Sequence, residues 1–286
     1  MREYIEKAKV LVEALPYIKE FNGITVVIKY GGSTLVNHTI KESLIKDIAL
    51  MKFVGFKPVV VHGGGPEINT MLKRLQIESH YHNGLRVTDE QTMEAVEMVL
   101  TGKLNKEITT DLSKHGIHSA GISGKDGQTI QVEKYMPNGE DIGLVGKIKK
   151  VDTTLIKTLI ENDFVPVISP ISADENGVSY NVNADTAAVA IAGALNAEKL
   201  VFLTDVVGIL RDQADYSSVY SRLQSSKITE MIEQGIITGG MIPKVESCME
   251  AVNSGVQHVH ILDGRVEHCL LLEIFTKDGI GTLIER

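Results

Sequence analysis

The sequence predicts an α/β protein, a three-layer αβα sandwich with a mainly parallel central sheet, preceded by an N-terminal helix. Two observations predict this architecture. Short runs of apolar and β-branched residues, such as residues 24–28 and 59–61, are typical of strands buried on both faces. Stretches with apolar residues at helical spacing alternate with these runs along most of the chain. This alternation favours parallel strands, with the connecting helices packed on both faces of the sheet.

Residues 2–20 predict an amphipathic helix that Pro16 would kink or interrupt. The residues expected on its apolar face are Ile5, Ala8, Leu11 or Val12, Leu15 and Ile18. This helix precedes the first strand and has no obvious sheet to cover. We therefore expect it to pack either on a partner subunit or on a hydrophobic patch of its own subunit.

The remaining elements follow in order. The first half predicts strand 24–29, helix 39–54, strand 58–61, a helix from Pro66 to about Leu75, a helix through Leu100 that Thr88 or Asp89 caps, and a helix over 103–115. Residues 117–150 are rich in glycine and predict short hairpins at one edge. The second half predicts helix 153–162, strand 164–168, helix 186–195, strand 199–203, helices 227–235 and 242–254, strand 256–262 and a last strand over 281–284.

Composition excludes several classes of protein. Lys and Arg number 29 against 37 Asp and Glu, a formal charge of −8, and no basic run is present. This balance argues against nucleic acid and against an anionic membrane surface as partners. The longest apolar run is too short to span a bilayer, and Cys248 and Cys269 form no CxxC pair. We expect a cytoplasmic protein without a disulfide framework or a protein-held metal.

Three glycine turns stand out as candidates for binding an anion. Lys29-Tyr-Gly-Gly32 and His62-Gly-Gly-Gly-Pro66 each end a predicted strand, and Thr238-Gly-Gly240 is followed by Lys244. Glycine turns bring bare backbone N–H groups close to an anion, and the lysines add positive charge. Each turn alone is typical of an ordinary connection. Together they predict a site for a ligand with several negative charges.

Two common phosphate motifs are absent. A Walker loop needs Ser or Thr after its Gly-Lys pair, but Leu104, Asp126 and Ile148 follow the Gly-Lys pairs of this chain. A dinucleotide fingerprint that starts at Gly63 would need glycine or alanine at the position of Ile68. The glycine turns therefore belong to a different phosphate-binding arrangement.

Six motifs in order resemble those of the amino-acid kinase family over nearly the whole chain. They are Lys29-Tyr-Gly-Gly, His62-Gly-Gly-Gly-Pro, Gly84-Leu-Arg-Val-Thr-Asp, Asn181-Val-Asn-Ala-Asp, Leu203-Thr-Asp and Gly239-Gly-Met-Ile-Pro-Lys. They are most similar to the members that act on N-acetyl-L-glutamate. The resemblance implies transfer of the γ-phosphoryl group of ATP to the side-chain carboxylate of that substrate, in arginine biosynthesis. It implies an N-terminal oligomerisation helix (1–22), an amino-acid-substrate lobe (23–178) and a nucleotide-binding lobe (179–286), with Mg²⁺ carried on the ATP phosphates.

The same resemblance implies roles for individual residues. Lys29 and Lys244 would bracket the moving phosphoryl group, and Asp185 would hold both lysines, although its position alone also suits a helix N-cap. Arg86 would bind the α-carboxylate of the substrate through paired hydrogen bonds. The other substrate residues implied are Gly64, Gly65, Asn181 and Asn183, and the nucleotide residues implied are Gly32, Thr204, Asp205, Gly208, Thr238 and Gly239.

The chain ends resemble those of the arginine-inhibited members of the family, in which N-terminal helices interlace dimers into a hexamer. L-Arginine is then expected to bind at Tyr17, His268, Glu273, Gly279 and Gly281. Two alternatives to the main reading stay open. One is a kinase of the same fold for another substrate, such as aspartate, glutamate or aminoadipate. The other is a non-catalytic sensor that binds ATP or an amino acid.

Overall fold

The computed structural model describes residues 2–32 and 37–286. Within the first helix, the side chains of residues 2, 3, 6, 7, 10 and 11 lie outside that description, and so Leu11 of the predicted apolar face is not assessed.

Strands and helices alternate along the chain. The strands are β1 (Thr25–Tyr30), β2 (Lys57–His62), β3 (Tyr81–His82), β4 (Leu85–Arg86), β5 (Ser119–Ser123), β6 (Ile130–Lys134), β7 (Gly146–Val151), β8 (Val165–Ser169), β9 (Ile171–Ala173), β10 (Ser179–Asn181), β11 (Lys199–Thr204), β12 (Arg222–Gln224), β13 (His258–Asp263) and β14 (Thr282–Glu285). The helices are α1 (Arg2–Phe21), α2 (His38–Phe53), α3 (Gly65–Arg74), α4 (Glu90–Glu97), a π-helical segment (Met98–Leu104), α5 (Asn105–Lys114), α6 (Thr154–Glu161), α7 (Ala184–Leu195), α8 (Ser225–Glu233), α9 (Met241–Asn253) and α10 (Cys269–Ile274).

In residues 2–32 and 37–286, eight strands form the central sheet in the order β12-β14-β13-β11-β1-β2-β8-β5. Only the β13–β14 pair is antiparallel among the neighbours that the structure describes. Strands β10, β9, β6 and β7 form a smaller sheet, and β3 and β4 form a hairpin. The predicted α/β class with a mainly parallel sheet is confirmed.

The helices cover both faces of the sheet and bury two hydrophobic cores. Alternate residues of β1 point to opposite faces, as the strand period of two requires. Val26 and Ile28 join the core that includes α2, α5 and α10, whereas Val27 joins the core that includes α7, α8 and α9. Burial on both faces explains why β1, β2 and β11 read as continuous apolar runs.

Three elements differ from the sequence prediction. Residues 119–123 form β5, an edge strand parallel to β8, and not part of a hairpin. The helices predicted around residues 89–100 and 103–115 are one continuous helical run that contains a π-helical segment. Pro16 lies inside α1 without interrupting it.

The N-terminal helix is anchored at its last turn. The Phe21 ring lies 5.9 Å from that of Phe56, and the Tyr17 ring lies 6.5 Å from that of Phe275. Aromatic packing beyond Pro16 thus stabilises the turn that the proline weakens. Apolar side chains nearer the start of the helix remain exposed, with Val12 67% and Leu15 60% accessible.

Within residues 2–32 and 37–286, no helix combines the length and the apolar character needed to cross a membrane.

Candidate active site

The predicted catalytic residues lie at the edge of the sheet where the parallel strands β1 and β11 end. From β1, the chain continues to β2 on one side, while β11 pairs with β1 on the other side. The strand order therefore changes direction at β1, and open α/β sheets form their ligand crevices at such points. Lys29 lies at the end of β1, and Thr204 ends β11.

Lys29 and Asp185 form an ion pair in this crevice. The Lys29 Nζ atom lies 2.8 Å from Asp185 Oδ1, and the two side chains are 15% and 30% exposed. Lys244, from the first turn of α9, lines the same small cavity together with Thr204. Among the described residues, Asp185 pairs with Lys29 and not with Lys244. The structure thus brings the three predicted catalytic residues together, although they lie far apart in sequence.

The helix that carries Asp185 begins earlier than predicted. Asn183 is its N-cap, because the Asn183 side chain accepts hydrogen bonds from the backbone N–H groups of Asp185 and Thr186. The capping role considered for Asp185 is therefore wrong. The Asp185 carboxylate lies in the first turn of α7, where the helix dipole favours a negative charge.

Two of the glycine turns contact each other. A Cβ atom on Gly32 would lie 2.8 Å from the Pro66 ring and 3.3 Å from the Gly65 nitrogen. A Cβ atom on Gly31 would lie 2.6 Å from the Leu203 carbonyl oxygen. Only residues without a side chain allow this approach. The turn after β1 therefore lies against the start of α3, where backbone N–H groups have no partner within the helix.

A cleft of about 730 Å³ opens beside the ion pair. Asp185 and Lys244 line it from one side. The Asn83–Leu85 hairpin turn and Asn183 also line it. The cleft is therefore large enough for a small organic acid and a phosphate group side by side.

Arg86 directly follows Leu85, a residue that lines this cleft, and its own side chain is buried without a carboxylate partner among the described residues. Its guanidinium donates to Asn69 Oδ1 and to the Tyr81 hydroxyl, both at 2.6 Å, and also to Ser79 Oγ. The side chain lies over the Tyr81 ring, and burial lowers the pKa of the guanidinium. A buried cation that is held only by neutral acceptors is suited to binding an anion.

Of the other predicted substrate residues, Asn183 lines the cleft. Asn181, Gly64 and Gly65 are outside its lining. Asn181 ends β10, and its Nδ2 atom lies 3.4 Å from the hydroxyl of the buried Thr88. Gly64 is the N-cap of α3, and Gly65 is its first residue. Among the residues that the structure describes, no atom lies within 4 Å of a Cβ atom built on Gly65, apart from its chain neighbours.

Three of the six predicted nucleotide residues line a second cavity of about 300 Å³, whereas Thr204 lines the small cavity with Lys29, and Gly32 and Gly239 line neither. Asp205, Gly208 and Thr238 line the second cavity together with apolar side chains that include Ile237 and Met241. Gly208 has a φ of 139°, and a Cβ atom there would lie 2.7 Å from the Thr282 hydroxyl. An apolar cavity with a few polar groups is suited to a flat heterocyclic base.

The predicted arginine-binding residues fall into two places. Tyr17 lies near Phe275, close to the loop that contains Gly279 and Gly281. The Glu273 carboxylate is occupied within the chain, by His260 Nδ1 at 2.7 Å and by the N–H groups of Ile280 and Gly281. Burial opposes ionisation of Glu273, but these donors hold its pKa below the usual value.

His268 lies apart from that loop. Its Nδ1 atom is 2.6 Å from Asp47 Oδ1, and its backbone N–H donates to Ser43 Oγ at 2.7 Å. The structure thus connects His268 to α2 and not to Glu273.

Two buried features were not identified from the sequence. The first is the contact between His62 and Asn105 behind the second glycine turn. The second is Lys199, whose Nζ atom lies 4.6 Å from the centre of the Phe21 ring. The available signal for His62 was its position directly before three glycines. The available signal for Lys199 was its place in an otherwise apolar strand. Among the described residues, no group of three or more His, Cys, Asp or Glu side chains is arranged to hold a metal ion.

Comparisons with known proteins agree with this geometry. The amino acid kinase family model matches residues 25–263. An acetylglutamate kinase from Thermoanaerobacter sp. (strain X514) is 58% identical over 282 residues, which cover 99% of this chain and 94% of that protein.

Solved structures of N-acetylglutamate synthase from Neisseria gonorrhoeae are also similar to this chain. The complex with coenzyme A and N-acetyl-glutamate has a TM-score of 0.86 at 27% identity, and it covers 98% of this chain. This chain spans 63% of the length of that synthase. The complex of the synthase with coenzyme A and L-arginine has a TM-score of 0.81 at 25% identity, covering 97% of this chain and 65% of the synthase chain.

Proposed function

We propose that the site transfers the γ-phosphoryl group of ATP to the side-chain carboxylate of N-acetyl-L-glutamate. The chain belongs to the amino acid kinase family. The product is N-acetyl-L-glutamyl 5-phosphate, and the reaction is a step of arginine biosynthesis. The observation that carries the proposal is the cavity that Lys29, Asp185 and Lys244 share beside two glycine turns.

The chemistry requires positioning and charge neutralisation more than proton transfer. A carboxylate oxygen of the substrate attacks the γ-phosphorus, and the bond between this phosphorus and the oxygen it shares with the β-phosphate breaks. The electron pair leaves with ADP. Since the attacking group is already an anion at neutral pH, the step needs no general base. Lys29 and Lys244 offset the negative charge on the transferring oxygens from two sides, which is the main protein contribution to phosphoryl transfer.

Asp185 keeps Lys29 in place when no nucleotide is bound. An ion pair at 2.8 Å fixes the direction of a flexible lysine side chain, so less conformational entropy is lost when the phosphoryl group arrives. The backbone N–H groups at Gly32, Gly64 and Gly65 add donors near the start of α3. Mg²⁺ enters on the phosphates of ATP, where it typically keeps several water ligands.

Substrate selection is assigned to Arg86 and the neighbouring polar groups. Arg86 binds the α-carboxylate, which replaces its neutral acceptors with a charged one. Asn181 and Asn183 bind the acetamido group or a carboxylate, and Gly65 faces the carboxylate that accepts the phosphoryl group. The nucleotide lies across Thr204, Asp205, Gly208, Thr238 and Gly239. The lobes are then residues 23–178 for the amino acid and residues 179–286 for the nucleotide.

A hydroxamate-trapping assay tests the activity, because hydroxylamine converts an acyl phosphate into a coloured hydroxamate. The purified chain is incubated with ATP, Mg²⁺ and, in turn, N-acetyl-L-glutamate, L-glutamate, L-aspartate and aminoadipate. We expect product with N-acetyl-L-glutamate. If product forms only with another acid, that acid is the substrate. Binding of ATP without any product would favour the alternative of a non-catalytic sensor.

Lysine substitutions test the site itself. Lys29→Ala and Lys244→Ala should each lower turnover by at least about 10²-fold, the scale for losing one positioned donor. Lys46→Ala is the matched control, because Lys46 is half exposed and its one ion pair within residues 2–32 and 37–286 is with Glu42 on the surface. Near-normal turnover of either site variant would remove that lysine from the mechanism.

We also propose that L-arginine inhibits the enzyme at the contact between α1 and the 279–281 loop, in a hexamer. Three features support this proposal. The related synthase has been solved with L-arginine, the exposed apolar side chains of α1 need a cover, and Lys199, which lies against Phe21, interacts electrostatically with Glu273. Glu273 can accept a guanidinium only if its present hydrogen bonds to Ile280 and Gly281 are exchanged.

Removal of residues 1–20 tests this regulation. We expect an active dimer in which arginine inhibition is weaker and no longer cooperative. Leu15→Asp should have the same effect on assembly, with Glu13→Gln on the same helix as its control. A full-length chain that is a dimer and is insensitive to millimolar arginine would refute the regulatory proposal and leave the kinase activity unaffected.

A further inference from the structure

A buried network lies behind the second glycine turn, and its donors and acceptors have only one consistent arrangement. The Asn105 side chain is 1% exposed, and its Nδ2 atom lies 2.9 Å from the Val167 carbonyl oxygen and 3.2 Å from the Ile122 carbonyl oxygen. Its Oδ1 atom accepts from Lys106 Nζ at 3.1 Å. Carbonyl oxygens only accept and an ammonium only donates, so these partners fix the orientation of the amide.

The orientation of the Asn105 amide determines which ring nitrogen of His62 carries the proton. Asn105 Nδ2 lies 3.2 Å from His62 Nε2 and shares its two hydrogens among three acceptors. Because an amide nitrogen only donates, a proton on Nε2 would face another donor, so this ring nitrogen is unprotonated. His62 Nδ1 then carries the proton and donates to the Gly63 carbonyl oxygen at 3.0 Å. The imidazole is fully buried, and burial lowers its pKa to about 4. His62 is therefore neutral at physiological pH.

The hydrogen bond from His62 orients a peptide of the site. The carbonyl and the following N–H of a trans peptide point in opposite directions. Holding the Gly63 carbonyl against the imidazole therefore turns the Gly64 N–H to the other side of the turn. Gly63 lies close to Gly32 and Ala184 on that turn, next to the helix that carries Asp185.

The π-helical segment brings these groups together. A Cβ atom on Gly64 would lie 2.3 Å from Leu104 and 2.7 Å from Leu100, so the segment packs directly on the turn. Asn105 follows it immediately. A π-helical turn contains more residues than an α-helical turn, which changes the side chains that face the sheet beyond it, and such segments occur frequently at functional sites.

We propose that Asn105 and His62 are positioning residues for phosphoryl transfer: Asn105 selects the Nδ1–H tautomer of His62, and His62 fixes the Gly63–Gly64 peptide so that its N–H faces the transferring group. This inference rests on the proposed kinase activity. It assigns neither residue a contact with the substrate.

A matched pair of substitutions separates positioning from packing. Asn at position 62 places an amide donor near the position of Nδ1, whereas Gln places its polar end near Nε2. We expect His62→Gln to lower kcat by about 10²-fold, with the KM for ATP changed less than about threefold. His62→Asn should recover at least about tenfold of that loss. The exposed His118→Gln is the control for a general effect of such a substitution.

Parallel losses of kcat and thermal stability in both His62 variants, without recovery by Asn, would overturn the proposal. A ¹⁵N NMR spectrum of the full-length wild-type protein gives a second test that needs no activity. The His62 signals, identified by their loss in His62→Asn, should show a protonated Nδ1 and an unprotonated Nε2 from about pH 6 to 8. A protonated Nε2 in that range overturns the proposal. Absence of wild-type turnover in the hydroxamate assay would instead refute the kinase activity.

Discussion

Adding one methyl group at Gly64 should damage both the stability and the chemistry of this enzyme. In Gly64→Ala the new Cβ atom would lie 2.3 Å from Leu104 Cδ1, about 1 Å closer than the ordinary contact distances that begin at 3.4 Å. Leu100 and Leu104 are both buried, at 2% exposure, so neither can swing into solvent. Relief of the overlap must therefore move the leucines, the turn or both.

The magnitude follows from that overlap. Overpacking of a close-packed core costs about 1–3 kcal/mol of unfolding free energy. A shift of the turn by about 1 Å would misplace its N–H groups, and a misplacement of this size can lower turnover by about 10²-fold. We expect both losses in the same variant, measured by urea unfolding and by kcat in the hydroxamate assay.

Gly65→Ala is the matched control in the same turn. No other described residue has an atom within 4 Å of its Cβ position, its chain neighbours excepted, so the variant should unfold like the wild type. Any effect should appear in the KM for N-acetyl-L-glutamate, because the methyl group enters the open space assigned to this substrate.

A second change tests the cause. Leu104→Ala in the Gly64→Ala background removes the closer of the two clashing side chains, so the loss of stability in the double variant should be smaller than the sum of the two single losses by about 1 kcal/mol or more. A Gly64→Ala enzyme with wild-type kcat and unfolding free energy would refute the reasoning from Cβ contacts.

Three further predictions concern charged groups. Asp185→Asn leaves Lys29 without its anionic partner and should lower kcat by about 10²-fold in steady-state assays, with little change in thermal stability. Arg86→Lys keeps the charge but loses the paired hydrogen bonds. The KM for N-acetyl-L-glutamate should therefore rise by about tenfold or more, while the KM for ATP stays within about twofold. Equal changes in the two KM values would place Arg86 outside the N-acetyl-L-glutamate site. Burial raises the pKa of Asp47 from 3.8 to about 6, although the hydrogen bond with His268 acts in the opposite direction and lowers this pKa. A raised pKa in the folded state favours folding at low pH, so this group contributes stability that is lost as pH rises from about 4 through 6, by about 3 kcal/mol. Urea unfolding of Asp47→Asn should show a smaller loss over that range than the wild type, and identical pH profiles would contradict the assignment.

The sequence predicts the parts of the site that depend on local signals. The strands β1, β2 and β11 are apolar runs, and the glycine turns after β1 and β2 predict an anion site only together with the third turn at residues 238–240. Lys29 and Lys244 lie more than 200 residues apart, and their convergence is implied by the resemblance to the amino acid kinase family and not by a local signal.

The parts that could not be predicted depend on contacts between distant residues. β5 has a short, glycine-containing sequence, and it becomes a strand by pairing with β8 some 40 residues later. The π-helical segment has no distinct sequence signature, and its packing on Gly64 decides its form. The pairing of Glu273 with His260 likewise needs the turn at Gly279, where a Cβ atom would lie 2.5 Å from Glu273 Oε2.

The Phe21 side of the proposed arginine site and the phosphoryl site lie at opposite ends of β11, which limits how a ligand beside Phe21 can affect the phosphoryl group. Lys199 begins β11 beside Phe21, and Thr204 ends it in the cavity with Lys29. Five residues of extended strand span about 17 Å, so a ligand beside Phe21 touches neither catalytic lysine. Its effect on turnover must pass through an element with two arrangements, and α1 is suited to this because its last turn is packed while Val12 and Leu15 remain exposed. Loss of residues 1–20 should therefore remove cooperativity and leave the turnover without arginine unchanged.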